Sequence, residues 1–488
     1  MYQISQKPSQ LSEDTALFVK KINGLRNHPR PEVCGFFDPG ESILVTRAPG
    51  RLDAMGGIAD YSGSLVLELP ISEAIFAALQ LDSSRTISII TLSEHAGREM
   101  LFQMPFEQFE DNGRTSYEFA RKTFQQDPSR SWAAYVAGVF LVLMRERGVV
   151  FEKGARILID SQVPEGKGVS SSAALEVAAM SAVAAGFEIK LEPIELAFLC
   201  QKVENLVVGA PCGIMDQITV ACGKRGHLLA LLCQPADLIN MISMPGSLKI
   251  WGLDSGVRHS VSGNSYGDVR AAAFMGYRMI AEIDGLSVTE NATDGSVLVE
   301  DQRRHGYLAN ISPAAFERSY ANHLPERMSG AEFLSRYKGT TDPVSLIDPR
   351  RDYSVKASTA HPIFENSRVT RFSDLMGQRP SSDRLELMGE LMYQSHASYS
   401  ACGLGSEATD LLVELVREAG SRHGLYGARI TGGGSGGTVA VLGDHEASAA
   451  IAVIAQRYER KTGHRPYVFS GSSPGSAAFG VLKLMPQP

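Results

Sequence analysis

The chain has 488 residues, 44% hydrophobic and 21% charged, which is enough apolar material for two or three folded domains. A net charge of −7 excludes broad electrostatic capture of nucleic acid or of an anionic membrane surface. The six cysteines, at 34, 200, 212, 222, 233 and 402, form no CxxC pair and no Cys/His spacing suited to zinc, and read as buried thiols in a reducing compartment.

The polar start, MYQISQKPSQLSEDTALF, has no basic stretch followed by an apolar one, so no cleaved signal is expected. The first 35 or so residues are expected to drape over a domain. From Ile43 to about Ser161 the runs ILVT, LVLELP, IFAALQL, TISIITL and ARILID predict strands, interrupted by a helix near 132–147. The longest apolar run, AAYVAGVFLVLM from Ala133, falls short of the roughly 18–20 residues that span a bilayer, so a cytosolic protein is expected. Two helices follow, one after Ser172 and one around 193–206. Strands are then predicted at ITVAC, HLLALL and LKIWGLD. Beyond Asp254 the chain becomes more helical, and 285–365 reads as an insertion or an elaborated helical region. Ser406 is placed to cap a helix with Leu411, Leu412, Leu415 and Val416 on one face and Gly420 at its end. Strands ARIT and TVAVL, a helix with Ile451, Ile454, Ala455 and Tyr458 on its stripe, and the strand YVFS complete a split βαβ, ferredoxin-like layer. A domain boundary is expected near residue 250.

Three glycine-rich loops carry the chemistry. The first, TRAPGRLDAMGGIADYSGS, contains no lysine or glutamate but places Arg51 and Asp60 between two apolar runs. The second, VPEGKGVSSSAALEVAAM, ends a strand at Pro164, allows close backbone approach at Gly166 and Gly168, and runs through three serines into a helix N-terminus. Exposed amides and the positive end of the helix dipole make such a turn an anion site, although one serine would suffice for a simple cap. The P-loop pattern GxxxxGK[ST] is absent from the chain. The third loop, ARITGGGSGGTVAVLG, matches GxGxxG from Gly432, but the alternating, β-branched Thr438–Leu442 predicts a strand where a dinucleotide fold needs a helix. A protein kinase is excluded as well, since neither HRD nor DFG occurs. A glycine hairpin packed under another loop or a ligand remains. Between the second and third loops lie Glu204 and Asp216, carboxylates in apolar surroundings. Each reads as a structural acceptor when taken alone. Beside a phosphate loop, one for Mg²⁺ and one for a proton is what phosphoryl transfer to a hydroxyl requires.

In this order, PGRLDAMGGIADYSGS, VPEGKGVSSSAALE and TGGGSGGTVAVL resemble the motifs of the GHMP small-molecule kinases, and GAPCGIMDQ with DSGVRHSVSGNSY resembles the galactokinase branch of sugar 1-kinases. GRLDAMGGIADYSGSLVLELPI, WAAYVAG, LCQKVENLVVGAPCGIMDQ and LLALLCQPA are similar, more narrowly, to the kinase region of the plant L-arabinokinases, whose glycosyltransferase-like N-terminal portion has no counterpart here. The resemblance implies an α/β (α+β) fold of two lobes with the site in the cleft between them. Residues 36–250 would form the ATP- and sugar-binding lobe, with a left-handed βαβ-type phosphate loop, and 251–488 a ferredoxin-like lobe. It further implies that Pro164, Gly166, Lys167, Gly168, Val169, Ser170, Ser171, Ser172 and Ala173 wrap the ATP phosphates, and that Ser172 and Glu204 hold Mg²⁺. Asp216 would take the proton of the anomeric hydroxyl, Arg51 would stabilise the transferring group, and Asp60, Gly213 and Tyr266 would contact the sugar. Gly432–Gly434 would back the site without side-chain obstruction.

Galactokinases carry a Glu-His pair where this chain has Gly57 and Ile58, and an asparagine where it has Asp53. L-Arabinopyranose lacks the exocyclic CH₂OH of galactose, so a site for it has no use for those polar groups. Left unpaired they would cost roughly 1–3 kcal/mol each, and Ile58 would add apolar bulk at that corner. Galactose, a uronic acid or an uncommon pyranose is the nearest rival substrate. A uronate would want a cation that the stretch PGRLDAMGGIADYSGS offers only in Arg51. A non-catalytic sugar sensor is disfavoured by the intact Ser172-Ala173, and mevalonate or homoserine by PCGIMDQ and Tyr266.

Overall fold

The computed structural model describes residues 1–6, 12–93, 97–110, 115–258, 265–291, 295–487. Among them, a nine-stranded sheet is built around two long neighbours, Ile43–Met55 and Leu65–Asp82. Gly154–Ser161, Thr86–Thr91 and Leu101–Pro105 extend it on one side, and the C-terminal strand Leu482–Pro486 and N-terminal strand Tyr2–Gln6 extend it on the other. His227–Leu232 pairs with the first residues of Leu65–Asp82 and carries Asp237–Ser243 beside it. The N-terminal segment therefore does more than drape. It supplies an edge strand, and its helix Glu13–Gly24 buries Phe18 and Ile22 against Phe76 and Leu484.

A second sheet is fully antiparallel, in the order Leu425–Ile430, Thr438–Asp444, Leu248–Asp254, Val468–Ser470. Numbered along the chain this is 2-3-1-4, the strand order of a ferredoxin-like layer. The capping box at Ser406 and Thr409 and the stop at Gly420 bound the helix Glu407–Ala419 as the sequence pattern requires. Ile451, Ile454, Ala455 and Tyr458 face inward from Ser448–Thr462.

One expected strand is a helix. ITVAC lies within Met215–Cys222, whose Met215, Gln217, Ile218, Thr219, Val220 and Ala221 are all buried. Burial on every side erases the 3.6-residue period that would distinguish a short helix from a strand. Thr219 Oγ1 donates back to the Met215 carbonyl at 2.7 Å, and Asp216 occupies the first turn, where the helix dipole favours an anion.

The 285–365 segment folds as a short hairpin, Val288–Glu290 with Val297–Val299, and the helices Pro313–Ser319 and Gly330–Tyr337. These pack on the helix Ser265–Ile283, in a cluster that includes Ile280, Phe316, Phe333 and Tyr353. Two further helices, Val355–Met376 and Ser382–Ala401, bury Phe372 and Met392 in the same core as Leu67 of the large sheet and Leu442 of the small one. The two sheets thus share one apolar interior. No described helix is long and apolar enough to cross a membrane.

Candidate active site

The first glycine-rich motif is not a solvated turn. Its residues continue the strand Ile43–Met55 and then a 3₁₀ turn, Gly57–Ser62, all of them buried. Bulges between Pro49 and Arg51 and between Asp53 and Met55 interrupt the pairing with Leu65–Asp82, and such bulges re-aim side chains. Arg51 points across to the helix Met215–Cys222, where Nε donates to Asp216 Oδ1 at 2.9 Å and Nη2 to Oδ2 at 3.0 Å. This is a bidentate, charge-assisted grip. Its Nη1 donates to the Gly168 carbonyl at 2.6 Å, and Glu68 Oε2 lies 3.4 Å from Nε on the other side. Burial by itself would lower the Arg51 pKa, but Asp216, Glu68 and Asp53 more than reverse this, so the guanidinium stays charged.

The second motif supplies a further partner. Ser170, in the left-handed conformation at φ 59°, caps the helix Ser171–Gly186 and donates from Oγ to Asp216 Oδ2 at 2.6 Å. Asp216 is therefore held from two directions by hydrogen-bond donors. Ser172 lies in the first turn of the same helix, within hydrogen-bonding reach of Glu204. Glu204 sits in a π-helical turn, Val203–Val208, that continues Pro193–Lys202, and it also accepts from Gln217 Nε2 at 2.7 Å. Burial first, and then the charge of Asp216, push its carboxyl up to about 7 against the opposing hydrogen bonds. A hydroxyl and a carboxylate with unrelieved negative charge are the hard oxygen donors that Mg²⁺ accepts, and it commonly takes few protein ligands. Those two residues fit the metal.

The Lys167 side chain is paired with Asp254 Oδ2 at 2.7 Å, away from the backbone amides expected to face the phosphates. Pro164, Gly166, Val169, Ser171 and Ala173 follow the loop into the helix, with Val169 and Ala173 buried and the Val169 carbonyl accepting from Arg51 N at 3.1 Å.

The third loop forms the tip of a hairpin and packs backbone to backbone on the second. A Cβ at Gly432 would stand 2.7 Å from the Gly168 carbonyl oxygen, and one at Gly437 2.9 Å from that of Lys167. Thr438 Oγ1 donates to the Lys167 carbonyl at 2.7 Å. The glycine hairpin thus lies under another loop.

On the far side of Asp216, Asp60 is buried, with Oδ1 lacking a hydrogen-bond partner among the described residues. Burial, then the charge of Asp216, raise its carboxyl to about 7 against the pull of Arg270 and backbone donors at Tyr61 and Met215. Gly213 packs so closely on Asp60 that a side chain there would overlap the carboxylate. Tyr266, near the start of Ser265–Ile283, stacks edge-on to Tyr61 at 6.1 Å. Much of the DSGVRHSVSGNSY motif, residues 259–264, lies outside the described residues.

Gly57 and Ile58 take a different place from their neighbours. The Ile58 side chain is 1% exposed, in a core with Tyr61, Tyr399 and Ile430, and its amide donates to Tyr399 Oη at 2.9 Å. A side chain on Gly57 would meet Tyr399 Oη first and Asp53 Oδ2 next. Asp53 is salt-bridged to Arg429 Nη1 at 2.8 Å, with both side chains fully buried. Sequence reasoning missed Glu68, Arg270, Tyr399 and Arg429. A glutamate inside the apolar strand LVLELP was the one visible signal.

Two family profiles match the chain, GHMP kinases N terminal domain over residues 134–224 and GHMP kinases C terminal over 381–460. The chain therefore carries the N- and C-terminal domains of GHMP kinases. It is 47% identical over 493 residues to the L-arabinokinase of Arabidopsis thaliana, covering 92% of this chain and 47% of that protein, so it spans about half the length of that relative. It is 29% identical to the galactokinase of Chloroflexus aggregans, over 86% of this chain and 89% of that one. The solved structure of Lactococcus lactis galactokinase complexed with galactose superposes with a TM-score of 0.70 at 20% identity, over 94% and 98% of the two chains. The chain therefore shares the fold of that structure, and its α/β class stands as read from the sequence.

Proposed function

We propose that this protein is an ATP-dependent sugar 1-kinase that phosphorylates the anomeric hydroxyl of L-arabinose. The observation that carries the reading is the grip of Arg51 and Ser170 on Asp216 beside the glycine-serine loop, which sets a carboxylate against a guanidinium. The sugar is taken from the relationship to the Arabidopsis thaliana L-arabinokinase.

In this mechanism Asp60 accepts a ring hydroxyl through its orphan Oδ1, with Gly213 and Tyr266 closing the pocket around it. Asp216 takes the proton of the anomeric hydroxyl as that oxygen bonds the γ-phosphorus of ATP and the bond to the β,γ-bridging oxygen breaks, releasing ADP. Arg51, freed from part of its grip as Asp216 becomes neutral, turns its charge to the transferring phosphoryl group. Amides of residues 165–173 hold the phosphates at the start of the helix Ser171–Gly186. Mg²⁺, when held by Ser172 and Glu204, neutralises phosphate charge. The six cysteines are free thiols, which fits a cytosolic setting.

The test is a coupled ADP-release assay with ATP over a panel of free sugars, with NMR of the product to locate the phosphate. ADP release that depends on L-arabinose, with phosphate at C1, is expected. A higher kcat/KM for galactose overturns the arabinose assignment, and no release with any sugar overturns the kinase reading.

A further inference from the structure

One side chain of the 285–365 segment, Asp342, is paired with a residue on the sugar side of the site. Asp342 is 6% exposed and receives both arms of the Arg270 guanidinium, Nε to Oδ2 at 2.8 Å and Nη2 to Oδ1 at 3.0 Å. The aspartate is itself fixed by the amides of Val344 and Ser345, at 3.1 and 3.3 Å. Its loop is anchored to the neighbouring hairpin by the Val297 amide, which donates to the Thr340 carbonyl at 2.8 Å.

Arg270, one helical turn after Tyr266, uses its remaining arm on the substrate loop. Nη1 donates to the Cys212 carbonyl at 2.9 Å, directly before Gly213. From the opposite side, Asn205 Oδ1 accepts from the Cys212 amide at 2.8 Å. The peptide that packs Gly213 on Asp60 is thus clamped between a residue adjoining Glu204 and a residue held by the inserted segment. The same guanidinium lies over the rings of Tyr61 and Phe274, at 5.7 and 5.8 Å. Its charge also opposes the rise of the Asp60 carboxyl.

We infer that Asp342 and Arg270 are positioning residues for the sugar, so that the 285–365 segment sets sugar affinity without touching the nucleotide. This rests on the sugar-kinase reading above. Arg270 holds the Cys212–Gly213 peptide in place and supplies the positive charge that keeps Asp60 able to accept a sugar hydroxyl. The groups around Asp60 are Asp216 and the Met215 amide on one helix, Arg270 and Tyr266 on another, Tyr61 beside it, and the Cys233 thiol. Among these Arg270 is the cation, so its removal raises the Asp60 pKa further and moves the acid limb of kcat/KM for the sugar to higher pH.

The experiment measures KM for sugar and for ATP, and the pH profile, in the wild type and in Asp342→Asn, Arg270→Lys and Arg270→Gln, with circular dichroism to check folding. In Asp342→Asn the sugar KM is expected to rise about 10-fold or more while the ATP KM stays within about twofold. Arg270→Lys keeps the charge but loses the fork, so the sugar KM rises with the acid limb unmoved. Arg270→Gln raises the KM and also shifts the acid limb upward by about half a pH unit or more. A sugar KM within twofold of wild type in Arg270→Lys, or an ATP KM that rises in step, overturns the inference, and so does an unmoved limb in Arg270→Gln. Arg270→Lys is the deciding variant if Asp342→Asn does not fold. Failure of the wild type to release ADP with any sugar overturns the underlying reading, and this inference with it.

Discussion

Replacing Gly57 with alanine tests whether the corner beside Asp60 is closed from behind by Tyr399. Gly57 has φ 50°, a left-handed conformation that costs an L-residue roughly 1–2 kcal/mol. A built Cβ overlaps Tyr399 Oη and comes within 2.5 Å of Asp53 Oδ2 and 3.0 Å of Arg429 Nη2. The Asp53–Arg429 pair is fully buried and cannot retreat cheaply, so the tyrosine must move. Its hydroxyl accepts from Ile58 N at 2.9 Å and donates to the Gly432 carbonyl at 3.1 Å, and each lost bond costs about 1 kcal/mol. The sum is about 3–4 kcal/mol for Gly57→Ala. In a Tyr399→Phe background the collision with the hydroxyl and its two hydrogen bonds are gone, and the same alanine should cost about 2 kcal/mol less, leaving the backbone term and the contact with Asp53. The two substitutions should therefore couple by about 2 kcal/mol.

Urea unfolding followed by tryptophan fluorescence suits the measurement, because Trp132 reports from the helical layer on the large sheet and Trp251 from the small sheet. Costs that add to within about 0.5 kcal/mol would refute the argument that Tyr399 fills this space. The same geometry bears on sugar choice. Restoring the galactokinase-like glutamate at 57 would press a second carboxylate against Asp53, so Gly57→Glu should lose stability without gaining activity on galactose.

Three further outcomes are expected. Asp216→Asn should lower kcat by about 10²–10⁴-fold while a fluorescent nucleotide still binds within a few-fold of wild type. Glu204→Gln and Ser172→Ala should each raise the Mg²⁺ concentration for half-maximal rate on the order of 10-fold, and EDTA should abolish turnover of the wild type. His361, buried and held down at about 4, stays neutral in the folded chain while the unfolded chain takes up a proton near pH 6.5. Stability should thus fall as pH drops from about 6.5 to 4, by about 3 kcal/mol from this group, and His361→Asn should flatten that slope in equilibrium unfolding. Glu365, whose folded carboxyl lies at about 2, adds its own loss only below about pH 4.5.

The features readable from the sequence were local ones. Glycines, a capping serine and alternating apolar residues placed the turn before Ser171–Gly186, the third hairpin, the four strands of the small sheet and the inner strands of the large one, because each depends on neighbours within a few residues. They did not place the edge strands Tyr2–Gln6, Leu101–Pro105 and Asp237–Ser243 of the large sheet or its C-terminal Leu482–Pro486. What was illegible is pairing at a distance. Asp53 had no visible role because its partner, Arg429, lies on another sheet, and Arg51 gave no hint that Glu68 would flank it from the adjacent strand. ITVAC was misread because a helix buried all round loses its period. Ile58 was expected to fill a pocket, yet its side chain belongs to the core behind one.

These distant pairs share a position. Asp53 with Arg429, Tyr399 with Ile58 and Gly432, and Arg270 with Asp342 all lie one layer behind the residues assigned to chemistry. The glycine loops in front of them have few side chains of their own to fix their shape, and a phosphoryl transfer depends on positions held to fractions of an ångström. Buried ion pairs add little net stability, but losing one partner is costly, so they resist small displacements. A site walled by backbone needs its rigidity from behind. On the proposed kinase reading, selectivity should therefore respond as strongly to substitutions at 270, 342, 399 and 429 as to those at the loop residues themselves.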